Sequence, residues 1–215
     1  PLPDTAAFKL GQRSTVLITG GGQGLGAELA KEIARRHQCA LVIFGRTQIA
    51  REAASWARMS ASELKTLKMQ MWEQMKKDAS RKATPALLER EFAKITKAAE
   101  LHRNIEEMIR AGSKVSYLPT DLTDAAETAK AVSSALNTHK AIDCGIHAAG
   151  LEESRLLADK KPEDFDRVFS AKAHGALHLL RSLPPTRGQR WVFFSSVVGR
   201  FGNLGQSDYA AASDF

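Results

Sequence analysis

Residues 15–47, "TVLITGGGQGLGAELAKEIARRHQCALVIFGRT", decide the fold. An apolar run, Thr15–Thr19, leads straight into glycines. The segment 27–38 then carries Leu29, Ile33 and Ala34 at helical spacing, and a second apolar run, Ala40–Phe44, follows it. Strand, helix and strand in this order form a βαβ unit. Outward along the chain, three more runs read as strands: Lys114–Leu118 ("KVSYL"), Ile142–Ala148 ("IDCGIHA") and Arg190–Ser195 ("RWVFFS"). Each is nearly continuous in apolar residues, as expected of parallel strands covered on both faces. The alternation predicts an α/β fold: a doubly wound parallel sheet of the Rossmann type, strand order 3-2-1-4-5, with right-handed crossovers.

Residues 48–112 break this rhythm. The stretch "SASELKTLKMQMWEQMKKDAS" (60–80) predicts a helix capped by serine ahead of Glu63, and Pro85, preceded by Thr84, opens a second helix that Gly112 ends. Between 48 and 110 there are 13 basic and 9 acidic residues, so 13 − 9 = +4 of the chain's net charge sits here. The insert reads as a solvated helical hairpin or as a docking surface for a neighbouring domain.

With 215 residues, 43% of them hydrophobic and 26% charged, the chain can bury a substantial core. Its formal charge is 31 − 24 = +7, but the basic residues are spread rather than clustered with aromatics, which argues against a nucleic-acid partner. Cys39 and Cys144, both in strand-like runs, read as buried free thiols of a reducing compartment. Six scattered histidines make no metal cluster, and no apolar run approaches the length of a membrane span, so a cytoplasmic location is expected.

The loop "TGGGQGLG" (19–26) joins the first strand to the first helix, with Gly20, Gly24 and Gly26 in TGxxxGxG spacing. Glycines here permit a tight turn and let backbone amides approach a pyrophosphate at a helix N-terminus. Thr19, Gly20, Gly22, Gln23, Gly24, Leu25 and Gly26 are therefore expected to line a dinucleotide. At the end of the second strand, where an NAD site would place a carboxylate, stands Arg46, whose guanidinium suits a 2′-phosphate; NADPH is the expected cofactor. In "TDLTD" (120–124), Asp121 is placed to accept from the adenine amino group and Leu122 to pack on its ring. Ala148, Ala149 and Gly150 are small enough to let ribose and nicotinamide lie against the backbone, whereas His147 reads as a packed strand residue.

The tail "SSVVGRFGNLGQSDYAAASDF" (195–215) sets Ser196 thirteen residues before Tyr209, the spacing of a hydroxyl and a phenol that polarise a carbonyl. A phenol of pKa about 10 is a poor proton donor at neutral pH unless a cation stabilises its anion. One candidate is Lys172, on the amphipathic segment "PEDFDRVFSAKAHGALHLLRSL" (162–183), where Val168, Ala171, Leu179 and Leu180 are expected to face the sheet.

In these motifs, over residues 15–47 and 114–215, the chain resembles ketoreductase domains of polyketide synthases within the short-chain dehydrogenase superfamily. "FSAKAHGALHLL" (169–180) resembles the family's catalytic-lysine helix; in many other short-chain dehydrogenases that lysine follows the tyrosine by four residues, where this chain has Ser213. "GRFGNLGQSDYA" (199–210) and the charged insert after "FGRT" are most similar to reductase domains of polyunsaturated fatty acid synthases and related megasynthases. The resemblance implies that Tyr209 gives a proton to the nascent alkoxide, that Ser196 hydrogen-bonds the substrate carbonyl, and that Lys172 supports the phenolate and binds ribose. It implies a β-ketoacyl substrate on acyl carrier protein, neighbouring synthase domains, residues 1–14 as a lead-in to a reductase over 15–215, and further chain completing the fold and a substrate lid. Ser213 departs from the asparagine usual in the family and keeps open a catalytically inactive structural domain. A free-standing dehydrogenase fits less well without the downstream lysine. The family's Leu-Asp-Asp position reads Glu152-Glu153-Ser154 and its tryptophan position Phe201, so neither marker assigns the hand of the alcohol.

Overall fold

Thr15–Thr19 forms β1, paired on both of its sides, and all five residues are buried because helices cover both faces of the sheet there. The structure is a computed structural model that describes residues 9–78, 82–184 and 189–215; residues 1–8 of the expected lead-in and residues 79–80 of the first insert helix lie outside these. Helix α1 (Gly24–His37) follows the glycine loop and ends at Gln38 in the left-handed conformation, with Arg35, Arg36 and His37 in its last turn against the helix dipole. Strand β2 (Ala40–Gly45) completes the βαβ unit, paired in parallel with β1 from Thr15↔Ala40 to Thr19↔Phe44.

The chain divides into two compact units, Pro1–Arg46 with Met108–Phe215, and Thr47–Glu107. In the second, α2 (Ala53–Arg58) precedes α3 (Ala61–Lys77) and α4 (Pro85–Arg110). Helix α2 is not among the expected elements, being a single short helix with no side-chain cap at its start. Helix α3 begins as expected: the Ser60 hydroxyl accepts from Glu63 N, and the Glu63 carboxylate accepts from Ser60 N at 2.7 Å. The Thr84 hydroxyl accepts from Leu87 N at the start of α4, and Gly112, with φ +102°, follows its end. Lys68 joins α3 to α4 through Glu89 at 2.6 Å, beside an apolar cleft of about 460 Å³ between Met69, Trp72, Pro85 and Leu88.

In the first unit come β3 (Val115–Pro119), α5 (Ala125–His139) and β4 (Cys144–His147). Asp124 caps α5, its carboxylate accepting from the Ala126 and Glu127 amides. Next are α6 (Pro162–Phe169), a π turn over Ser170–His174, α7 (Gly175–Ser182), β5 (Arg190–Phe193), α8 (Val197–Phe201) and α9 (Ser207–Asp214). The five strands form one parallel sheet in the order β3-β2-β1-β4-β5.

Alternate residues of the central strands feed two cores. Val16, Ile18, Leu41, Ile43 and Ile146 pack with Ala27, Ala30, Ile33 and Ala34 of α1. Leu17, Val42 and Phe44 pack with Ala131, Val132 and Ala135 of α5 and with Leu179 of α7. Each fully buried aliphatic side chain contributes about 1.5–3 kcal/mol relative to exposure. Burial on both faces holds for β1, β2 and β4 but not for the outer strands: β3 is half-buried, and Val192 and Phe193 of β5 are exposed. Segment 162–183 is not the single helix expected, since the π turn interrupts it; Val168 and Leu179 face inward, but Leu180 is exposed.

Candidate active site

The strands end together at one edge, and β1 and β4, whose connections leave in opposite directions, leave a crevice there, the usual ligand position in such sheets. Gly20, with φ +70°, turns the chain out of β1; a Cβ on it would sit 2.9 Å from the Ala149 backbone. A Cβ on Gly26 would stand 2.3 Å from the Gly20 carbonyl oxygen, so α1 starts closer to the loop than any other residue allows. Gly24, at φ +56°, faces open space, and Leu25 beside it is exposed while Gly22 is buried. Gln23 makes no side-chain cap on α1, and no acidic residue stands in the first helical turn, so the positive end of the helix dipole suits an anion. These features fit a pyrophosphate.

Around the loop, Arg46 is exposed just past β2. The Asp121 carboxylate accepts from the amide and the hydroxyl of Thr123, which fixes its orientation beyond β3. Leu122 departs from expectation. Its side chain is buried among Ala131, Val132 and Leu179, so it belongs to the core and does not offer a face to an adenine ring. The turn Ala148–Gly150 is tied to β1, with Ala148 N donating to Thr19 O and Ala149 N to Thr19 Oγ1 at 3.2 Å. Gly150 is exposed, with nothing near the position a Cβ would take.

Lys172 sits in the π turn, only 7% exposed, and its ammonium lies 4.5 Å from the centre of the Tyr209 ring. Its hydrogen bond goes to Ser213 Oγ at 2.8 Å, so the cation meets the face of the tyrosine rather than bonding its phenol oxygen. Burial holds the lysine below the usual ammonium pKa. Ser213, one helical turn after Tyr209, is thus the residue that accepts from the Lys172 ammonium. Ser196 caps α8 by accepting from Val198 N, which leaves its hydroxyl proton to donate, whereas Ser195 spends its own on the Ser213 carbonyl at 2.7 Å. Lys172 therefore touches both Tyr209 and Ser213, with Ser196 at the head of the segment that leads to them.

A buried ion pair escaped the sequence reading. Asp208 and Lys160 are 1% and 2% exposed at their side chains, with Oδ2 2.5 Å from Nζ in ionic contact without hydrogen-bond alignment. The other Asp208 oxygen accepts from Tyr209 N. Lys160 also donates to the Glu153 carbonyl, and Gln206 donates to Glu152. The loop after β4 is thereby stitched to the turn that presents the tyrosine.

A family model described as KR domain matches residues 14–215. A polyunsaturated fatty acid synthase polypeptide of Thraustochytrium sp. is 27% identical over 218 residues, which is 99% of this chain and 8% of that protein. Polyketide synthase PksN of Bacillus subtilis is 27% identical over 199 residues, 93% of this chain and 3% of that protein. A solved N-terminal ketoreductase from the macrolactin assembly line shares the fold, with a TM-score of 0.69 at 22% identity over 96% of this chain and 33% of that one. The chain spans less than a tenth of either synthase.

Proposed function

The chain belongs to the KR-domain family, and from that premise we propose that it reduces a β-ketoacyl thioester on acyl carrier protein to the β-hydroxyacyl thioester with NADPH, as one domain of a polyketide or fatty acid synthase in the cytoplasm. The observation that carries the reading is the buried Lys172 ammonium over the Tyr209 ring, in a chain with serine rather than lysine four residues after the tyrosine. When bound, NADPH supplies hydride from nicotinamide C4 to the carbonyl carbon. Tyr209 transfers its phenol proton to the carbonyl oxygen as the C=O π bond becomes a C–O single bond. Ser196 donates its free O–H to the same oxygen and stabilises charge there as it develops. Lys172 stabilises the phenolate left behind and reaches the ribose hydroxyls, with Ser213 holding the ammonium in place. Gly20, Gly22, Gln23, Gly24, Leu25 and Gly26 would hold the pyrophosphate, Arg46 the 2′-phosphate, Asp121 the adenine amino group, and Ala148–Gly150 the nicotinamide side; Thr19, expected among them, is fully buried with its hydroxyl between His147 and Ala149 N and shapes the loop from beneath. In this reading residues 15–215 form the reductase, interrupted by the insert 48–112.

The test is NADPH oxidation with a β-ketoacyl pantetheine thioester. Wild type is expected to turn over, and Tyr209→Phe to bind NADPH but lose turnover; equal rates in the two would overturn the assigned chemistry. Ser213 in place of the family's asparagine favours a second reading, a nucleotide-binding domain without activity, which NADPH binding without turnover in the wild type would select.

A further inference from the structure

His147, the last residue of β4, is 2% exposed, and no step above uses it. Its ring bridges two parts of the site. Nε2 lies 2.9 Å from the Lys172 carbonyl oxygen and Nδ1 lies 2.8 Å from Thr19 Oγ1. A carbonyl only accepts, so Nε2 carries the proton and Nδ1 accepts from the Thr19 hydroxyl, which itself accepts from Ala149 N. Burial, opposed by the bond to the Lys172 carbonyl and aided by the nearby ammonium, holds His147 below its usual pKa and keeps this neutral tautomer.

The carbonyl it grips is the one that matters. Lys172 lies within the π turn, where Gly175 N reaches both the Lys172 and the Ser170 carbonyls. Such a turn puts one residue too many into the helix, a rare arrangement for which a hydrogen bond from outside the helix can compensate. His147 offers that compensation. Gly175 lets it come close, because a Cβ there would already touch His147 Cε1 at 3.5 Å and Leu122 Cβ at 3.1 Å. We propose that His147 is a positioning residue: by holding the Lys172 carbonyl it sets the π turn that brings the ammonium to Tyr209, and through Thr19 it ties that turn to the glycine loop. This rests on the assignment of Lys172 and Tyr209 to the chemistry.

Three variants separate the bonds. His147→Phe keeps a ring and loses both partners, His147→Asn keeps a polar group only at the δ position, and His147→Gln keeps an N–H donor near the ε position. Misplacing a catalytic group by about 1 Å costs up to about 100-fold. Phe and Asn are therefore expected to lower kcat roughly 10–100-fold, with the KM for the ketoacyl thioester within about twofold and NADPH affinity falling by less than kcat does. Amide hydrogen exchange across residues 170–175 should quicken in both, and Gln should recover most of the rate and the protection. Nitrogen-15 spectra of the wild type need no variant and should show His147 neutral with the proton on Nε2. A proton on Nδ1, unchanged kcat in the Phe and Asn variants, or Gln no better than Asn would overturn the proposal. Lys172→Met run alongside distinguishes the alternatives: full activity there would refute the lysine assignment itself.

Discussion

Removing the Ser213 hydroxyl tests how the cation is held. Lys172 Nζ has Ser213 Oγ at 2.8 Å as its hydrogen-bonding partner and the Tyr209 ring centre at 4.5 Å, in a residue only 7% exposed. A hydrogen bond to a charged group contributes about 1.5–3 kcal/mol. At about 1.4 kcal/mol per factor of ten, its full loss from the transition state amounts to roughly 10–150-fold. Ser213 is half-buried, so water can take its place, and Ser213→Ala should fall near the lower end, about a 10-fold drop in kcat. Ser213→Asn brings an amide oxygen that also accepts, and should keep or raise the wild-type rate. The assay is kcat for a β-ketoacyl thioester at saturating NADPH, with circular dichroism to show that each variant is folded. Ser213→Ala within twofold of wild type would mean that the ammonium is held by something else, and the reasoning would fail.

Arg46→Ala should weaken NADPH roughly 10–150-fold, the loss of charged hydrogen bonds, while NADH binding stays unchanged; equal effects on both, measured by fluorescence titration, would remove Arg46 from the 2′-phosphate. Lys160→Met or Asp208→Asn alone should cost about 3–5 kcal/mol in urea unfolding by leaving a buried charge unpaired, and the double variant should recover most of it; additive losses would contradict the pairing. Burial lowers the pKa of both His147 and His139 below 6.5. The unfolded chain therefore binds protons that the fold refuses, so stability present above about pH 6.5 should be lost as pH falls below it; unfolding midpoints that stay level from pH 7.5 to 5.5 would count against this.

The sheet was legible because β1 and β2 are so thoroughly buried that their sequences are unbroken apolar runs, and the glycine loop announces the crevice beside them. The placement of Lys172 beside Tyr209 was legible too, from the helix pattern around 169–180 and the absence of a lysine at 213. The geometry around it was not. A π turn has no sequence period of its own, and this one is met by His147, 25 residues earlier in the chain. Leu122 is expected from the sequence to pack on the adenine ring, yet its side chain enters the core that α5 and α7 build, a packing set by tertiary contacts. Lys160 and Asp208 are 48 residues apart on segments that carry no periodic signal, so their pairing emerges only from the fold.

Transfer of label tests the central claim most directly. Wild-type protein mixed with a β-ketoacyl pantetheine thioester and NADPH deuterated at both C4 positions should yield a β-hydroxyacyl thioester carrying one deuterium on its β-carbon by mass spectrometry, and Lys172→Met should yield little in the same time. Alcohol formed equally fast by the Lys172→Met protein, or no labelled alcohol from the wild type, would contradict it.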